Sequence, residues 1–128
     1  MVLKFGTSGL RGLVDELVGD PSGIHLRAFV THLQNSGRVR QGEPIFFGRD
    51  LRDSSPEIAQ TCMSAAAEAG MVPVDCGALP TPALALHAGR HHAAAVMVTG
   101  SHIPADRNGI KFFRPDGEID KSDEAAIR

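Results

Sequence analysis

Leu26, Phe29, Val30 and Leu33 recur at i, i+3, i+4 and i+7, the spacing of one helix face. They predict a first helix with Ser22 as its cap and Gly37 as its stop. A second helix is predicted from Ser55 as N-cap, Pro56 at the first helical position and Glu57 in the first turn. Its buried stripe would be Ile58, Cys62, Ala65, Ala66 and Ala69, with Gly70 ending it. A third opens at Thr81-Pro82 and runs through Leu84 and Leu86 to about Gly89. Between the helices lie short apolar runs, Ile45-Phe46-Phe47, Val72-Pro73-Val74 and Ala93 to Val98, which fit buried strands. Pro73 puts its strand at an edge or at its own beginning.

Alternating helix and strand implies βαβ crossovers. The expected fold is a three-layer α/β/α domain with a mixed, mostly parallel sheet. Val2 to Val18 adds a strand or hairpin, and Gly109 to Ile119 reads as a hairpin turning at Asp116-Gly117. Ser122 to Arg128 reads as a helix start capped by Ser122, with Asp123 and Glu124 in the first turn. It stops before an amphipathic face is complete, which suggests a longer parent chain; a frayed terminus fits the same feature.

Composition narrows the class. The 128 residues suit one domain, and 42% apolar content supports a modest core. Thirteen basic against fifteen acidic side chains leave no basic surplus to draw nucleic acid or an anionic membrane. No apolar run would span a bilayer, and no charged leader precedes an apolar stretch at Met1, so the cytoplasm is the default expectation. Two cysteines, Cys62 and Cys76, make no disulfide framework and read as reduced thiols.

Ligands of open α/β sheets gather beyond the carboxyl ends of the strands. Thr99-Gly100-Ser101-His102-Ile103-Pro104 follows one such end. A glycine there permits an unusual backbone angle, so Ser101 would be held out at the sheet's rim; an ordinary polar turn explains the same residues. Serine is a poor nucleophile without help, and His102, as its direct neighbour, need not face it. In Gly6-Thr7-Ser8-Gly9-Leu10-Arg11-Gly12, glycines admit backbone N–H groups to a phosphate and Arg11 offers a forked donor, although a glycine-rich turn is the plainer reading. No Walker lysine and no dinucleotide fingerprint is present. After the Asn108-Gly109 turn signal, Lys111 would lie near the same rim, able to offset phosphate charge or move a proton, or simply solvated.

The order of these segments, with Gly48-Arg49-Asp50 after the strand at Ile45, resembles the α-D-phosphohexomutase superfamily over nearly the whole chain. The family loop reads Thr-Ala/Gly-Ser-His-Asn-Pro, then Asn-Gly-x-Lys; here Ile103 replaces the Asn, so the loop's local shape is expected to differ. The resemblance implies the N-terminal, catalytic-serine domain of a phosphomannomutase or phosphoglucomutase, spanning residues 1–128. Such an enzyme moves phosphate between C1 and C6 of a hexose through a phosphoserine, here Ser101, and a hexose 1,6-bisphosphate. It implies Arg11 beside the phosphate, Lys111 as general acid/base and His102 orienting the loop or the reacting oxygens. It also implies Mg²⁺ held by the phosphate on Ser101 and by an Asp-rich loop of a later domain. Hexose phosphates and the remaining domains would be the partners, and the isolated domain would have little or no activity. A non-catalytic sugar-phosphate-binding module of the same fold is the alternative. A serine hydrolase is disfavoured because no Gly-x-Ser-x-Gly elbow occurs.

Two motifs are decoys. Asp116-Gly117-Glu118-Ile119-Asp120 imitates the family's metal loop but lies too close to the serine segment, and a hairpin turn is expected instead. His87, His91 and His92 have zinc-like spacing but no further ligand nearby, and read as a solvated helix end.

Overall fold

The computed structural model describes residues 4–5, 9–13, 20–100 and 107–127. In chain order the elements are β1 (Lys4–Phe5), β2 (Gly9–Leu13), α1 (Asp20–Asn35), β3 (Pro44–Arg49), α2 (Ser55–Glu68), β4 (Val72–Ala78), α3 (Thr81–Arg90), β5 (Ala94–Val98), β6 (Arg107–Arg114), β7 (Gly117–Glu118) and α4 (Lys121–Ile127). The strands form one sheet in the order β1-β2-β6-β5-β3-β4, with β7 beside β6.

The sheet is mixed, but parallel pairing does not dominate it as the sequence suggested. It is confined to β3 with β4 and β3 with β5. The pairs β1·β2, β2·β6, β5·β6 and β6·β7 are antiparallel. The reason is chain length: a parallel return needs a crossover of a dozen or more residues, usually a helix. The link from Val98 to Arg107 is too short for one. Strand β4 closes one edge of the path, where Pro73 costs no ladder bond to a further neighbour.

Helices cover both faces. Leu26, Phe29, Val30 and Leu33 of α1 are fully buried and pack with Ile58 and Cys62 of α2 and Ile127 of α4 against Ile45, Phe47, Val96, Ile110 and Phe112. The Phe29 and Phe112 rings meet at 4.8 Å. On the other face Leu84 and Ala88 of α3 cover Phe46, Ala95, Met97 and Phe113. Gly23 costs α1 about 1 kcal/mol of helix propensity. Each large side chain buried on the same helix returns about 1.5–3 kcal/mol, so packing decides.

The helix ends differ from expectation in their caps. Ser22 is not a cap: α1 begins at Asp20, and Ser22 is fully buried within its first turn. The stop at Gly37 holds, with a left-handed φ of 74°. The N-cap of α2 is Ser54, not Ser55, and its side chain makes no cap bond. Gly70 ends that helix at φ 91°, and Ala69 packs only partly buried against the core. Helix α4 is capped by Asp120 rather than Ser122. The Asp123 amide donates to Asp120 Oδ1 at 3.0 Å and the Asp120 amide to Asp123 Oδ2 at 2.9 Å, a reciprocal capping box.

The decoys resolve as turns and surface. Asp116 lies in the turn between β6 and β7, and Gly117 has φ 140°. His87 and His91 are exposed and lean on Phe46, ring centroids 5.0 and 5.5 Å away. Among the described residues no group of three or more His, Cys, Asp or Glu could hold a metal, and no helix is long and apolar enough to cross a membrane. Both cysteines are free; burial pushes the Cys62 thiol up to about 12.

Candidate active site at the carboxyl ends of β3 and β5

Strands β3 and β5 run parallel and side by side, so Arg49 and Val98 end at the same rim. The chain beyond β5 is fastened at once. The Thr99 amide donates to the Gly109 carbonyl at 3.0 Å, extending the β5·β6 ladder. The Asp50 amide donates to the Val98 carbonyl at 2.9 Å, tying the end of β3 to the end of β5.

The Asp50 carboxylate is the centre of this rim. Its Oδ2 accepts the Gly100 amide at 2.9 Å and lies 3.4 Å from Arg52 Nε. Its Oδ1 accepts the Arg52 amide at 3.1 Å and the Ser55 hydroxyl. Burial alone would push the carboxyl up. The hydrogen bonds from Ser55, Gly100, Arg52 and Thr99 outweigh it and hold Asp50 below the usual carboxylate range. Asp50 is therefore an anion near neutral pH.

Asn108, fully buried at the start of β6, extends the network. Its Nδ2 donates to Ser54 Oγ and to Ser55 Oγ, each at 2.9 Å, and its Oδ1 accepts the Gly109 amide at 2.8 Å. The turn signal at Asn108-Gly109 is thus not a turn: both residues lie inside β6, and the asparagine's amide is spent on the α2 start.

Ser101 and His102, the sequence-predicted carrier and its neighbour, lie outside the described residues, as does Ile103. Arg11 stands on β2 directly opposite Gly109 of β6. Lys111, two residues further along β6, is half-buried and stands opposite Gly9 on one side and Met97 on the other. Strand alternation sets Lys111 on the face of Phe113, opposite to that of Asn108, Ile110 and Phe112. The register thus brings Arg11 and Lys111 to rungs two apart on adjacent strands, beside the end of β5. Asp50, Ser55 and Asn108 were not foreseen as site residues. The one signal for Asp50 was its position just after an apolar strand, within Gly48-Arg49-Asp50; its partner Gly100 is remote in sequence.

The donor set also bears on Mg²⁺. The Asp50 oxygens are filled by N–H and O–H donors, so this carboxylate is not a free metal ligand. Magnesium is commonly held by one or two carboxylates plus phosphate oxygens. Any share this chain takes in holding Mg²⁺ therefore does not come from Asp50.

The sequence and the fold have counterparts among known proteins. Residues 2–128 match the family described as phosphoglucomutase/phosphomannomutase, alpha/beta/alpha domain I. The chain belongs to that family. It is 64% identical over 124 residues to a phosphomannomutase of Sinorhizobium fredii, covering 97% of this chain and 26% of the relative. It is 45% identical over 125 residues to a phosphomannomutase of Salmonella muenchen, covering 98% of this chain and 26% of the relative. A crystal structure of a phosphomannomutase candidate from Thermus thermophilus superposes with a TM-score of 0.85 at 29% identity, covering 98% of this chain and 29% of that one. The chain thus spans about a quarter of the length of these relatives.

Proposed function

We propose that this chain is the N-terminal, catalytic-serine domain of a phosphohexomutase of the phosphomannomutase/phosphoglucomutase kind, with Ser101 as the phosphoryl carrier. The observation that carries the reading is the meeting of β2, β5 and β6: Arg11 and Lys111 stand two rungs apart on the β2·β6 ladder, beside the strand end that leads into Ser101. Membership of the family supports it.

The reaction makes definite demands on these residues. A hexose phosphate offers its free hydroxyl to the phosphorus on Ser101 Oγ. The sugar O–P bond forms, the serine O–P bond breaks, and Lys111 takes the hydroxyl proton. The product is a hexose 1,6-bisphosphate. After the sugar turns over, Ser101 Oγ attacks the opposite phosphate, and the oxygen left on the sugar regains its proton from Lys111. Arg11, with a forked cation, stabilises the charge spread over the moving phosphoryl oxygens, and His102 orients the reacting oxygens. Phosphoryl transfer is mostly positioning and charge stabilisation, so donors fixed on strands suit it. Bound to the phosphate on Ser101 and to carboxylates of a later domain, Mg²⁺ would neutralise part of that charge. The sugar-recognising parts belong to the remaining domains in this reading, and a cytoplasmic sugar phosphate is the natural substrate.

The test is mutase turnover of the full-length protein with mannose 1-phosphate and glucose 1-phosphate, Mg²⁺ and catalytic hexose 1,6-bisphosphate. Turnover that disappears in Ser101→Ala is expected. Binding of hexose phosphates without turnover in the parent protein would favour the non-catalytic module instead.

A further inference from the structure

We infer that Asp50 is a positioning residue for the phosphoryl-carrying serine, acting through the backbone of Gly100; the inference rests on the proposed role of Ser101. Gly100 is joined directly to Ser101, and its amide is held by Asp50 Oδ2 at 2.9 Å. The same carboxylate is fixed from its other side by Ser55 and the Arg52 amide, so it cannot swing away without breaking the start of α2. Ser55 in turn accepts Asn108 Nδ2 at 2.9 Å. Asn108 is the second residue of β6, on the far side of the segment that contains the serine. A continuous chain of hydrogen bonds, Gly100 to Asp50 to Ser55 to Asn108, therefore joins the two ends of that segment. The ladder bond from Thr99 to Gly109 closes the same gap through the backbone.

Arg52 completes the clamp. A Cβ placed on Gly100 would come within 2.1 Å of Arg52 Nε and 2.2 Å of its Cζ, so the guanidinium occupies the space a side chain there would need. Glycine at this position lets a cation that is paired with Asp50 reach the peptide preceding the serine. Neither Asp50 nor Arg52 is needed to hold the core: Ile45, Phe47, Val96 and Val98 bury the adjoining strands without them. A half-buried polar network outside the core's needs points to precision at the strand ends it joins. Misplacing a reacting atom by about 1 Å costs about 100-fold in rate.

The experiment uses the full-length protein. Rapid-quench intact mass follows phosphoryl uptake onto Ser101 from hexose 1,6-bisphosphate with Mg²⁺, and steady-state assays give kcat and KM. Asp50→Asn keeps the size but replaces one acceptor with a donor facing Gly100 or Ser55. The expected result is uptake and kcat lowered about 100-fold with uptake still at Ser101, and KM within about threefold of the parent. Ser55→Ala leaves the carboxylate but loosens it, and should lower kcat about tenfold; it decides the matter if Asp50→Asn does not fold. Uptake and kcat at the parent's level, with only a lower melting point, would make Asp50 structural and overturn the inference. A change in KM alone would overturn it too. If the parent protein takes no phosphoryl at Ser101, the underlying reading falls first, and this arm is read separately from the Asp50 variants.

Discussion

Replacing Asp123 with Asn should destabilise the chain by about 3 kcal/mol, and the loss should shrink in acid. Asp123 is 1% exposed and receives His32 Nε2 at 2.7 Å, Arg38 Nη1 at 3.2 Å, Arg114 Nη1 at 3.0 Å and the Asp120 amide at 2.9 Å. It thereby joins α1, the loop after it, the β6–β7 hairpin and α4. Removing one partner of a buried ion pair costs about 3–5 kcal/mol. The low end applies because Arg38 keeps 33% of its side chain in water. For a domain of this size that is a melting-point drop of about 10 °C. Burial raises the Asp123 carboxyl, but the Asp120 amide, His32, Arg114 and Arg38 outweigh it and bring it down from 3.8 to about 2. That difference corresponds to about 2 kcal/mol of stability, fully present above pH 5. Because the folded value is the lower one, the contribution fades as pH falls through 3.8 towards 2. The gap between parent and variant should therefore narrow by about 1 kcal/mol between pH 7 and pH 3. Urea unfolding of the 128-residue chain, followed by circular dichroism at both pH values, measures it. A variant within about 1 kcal/mol of the parent at pH 7, or a gap that is equal at both, would refute the reasoning.

Phe29→Ala removes a fully buried ring that packs, tilted, against Phe112 and should cost about 3–5 kcal/mol in the same unfolding assay. In the native chain at pH 8 a thiol reagent should reach the half-buried Cys76 first and Cys62 only on unfolding, because burial holds the Cys62 thiol at about 12; equal rates would contradict the packing of α2. The 128-residue chain alone should fold yet show no measurable mutase turnover, checked by a coupled hexose-phosphate assay; full turnover without any added domain would contradict the proposed division of labour.

Periodicity located the elements because burial is periodic: Leu26, Phe29, Val30 and Leu33 are all fully buried. Strand direction is not periodic, and only the short Val98–Arg107 link tells that β6 must return antiparallel. A serine near a helix start looks alike whether it caps the helix or lies within its first turn, as Ser22 does buried and Ser122 does exposed. At α4 the real cap, Asp120, is recognisable only through its exchange of hydrogen bonds with Asp123. The same limit hid Asp50. Its partners Gly100 and, through Ser55, Asn108 lie about half the chain away and meet it only when β3, β5 and β6 align. Arg11 and Lys111 were legible as residue types suited to phosphate, and the ladder now gives their spacing.

The most direct test of the central claim is the intact mass of the full-length protein after incubation with hexose 1,6-bisphosphate and Mg²⁺, beside Ser101→Ala. One added phosphoryl group, mapped to the peptide containing Ser101 and absent from the alanine variant, is the predicted result. No gain, or a gain that survives in Ser101→Ala, would remove this serine from the mechanism and leave the fold as a binding module.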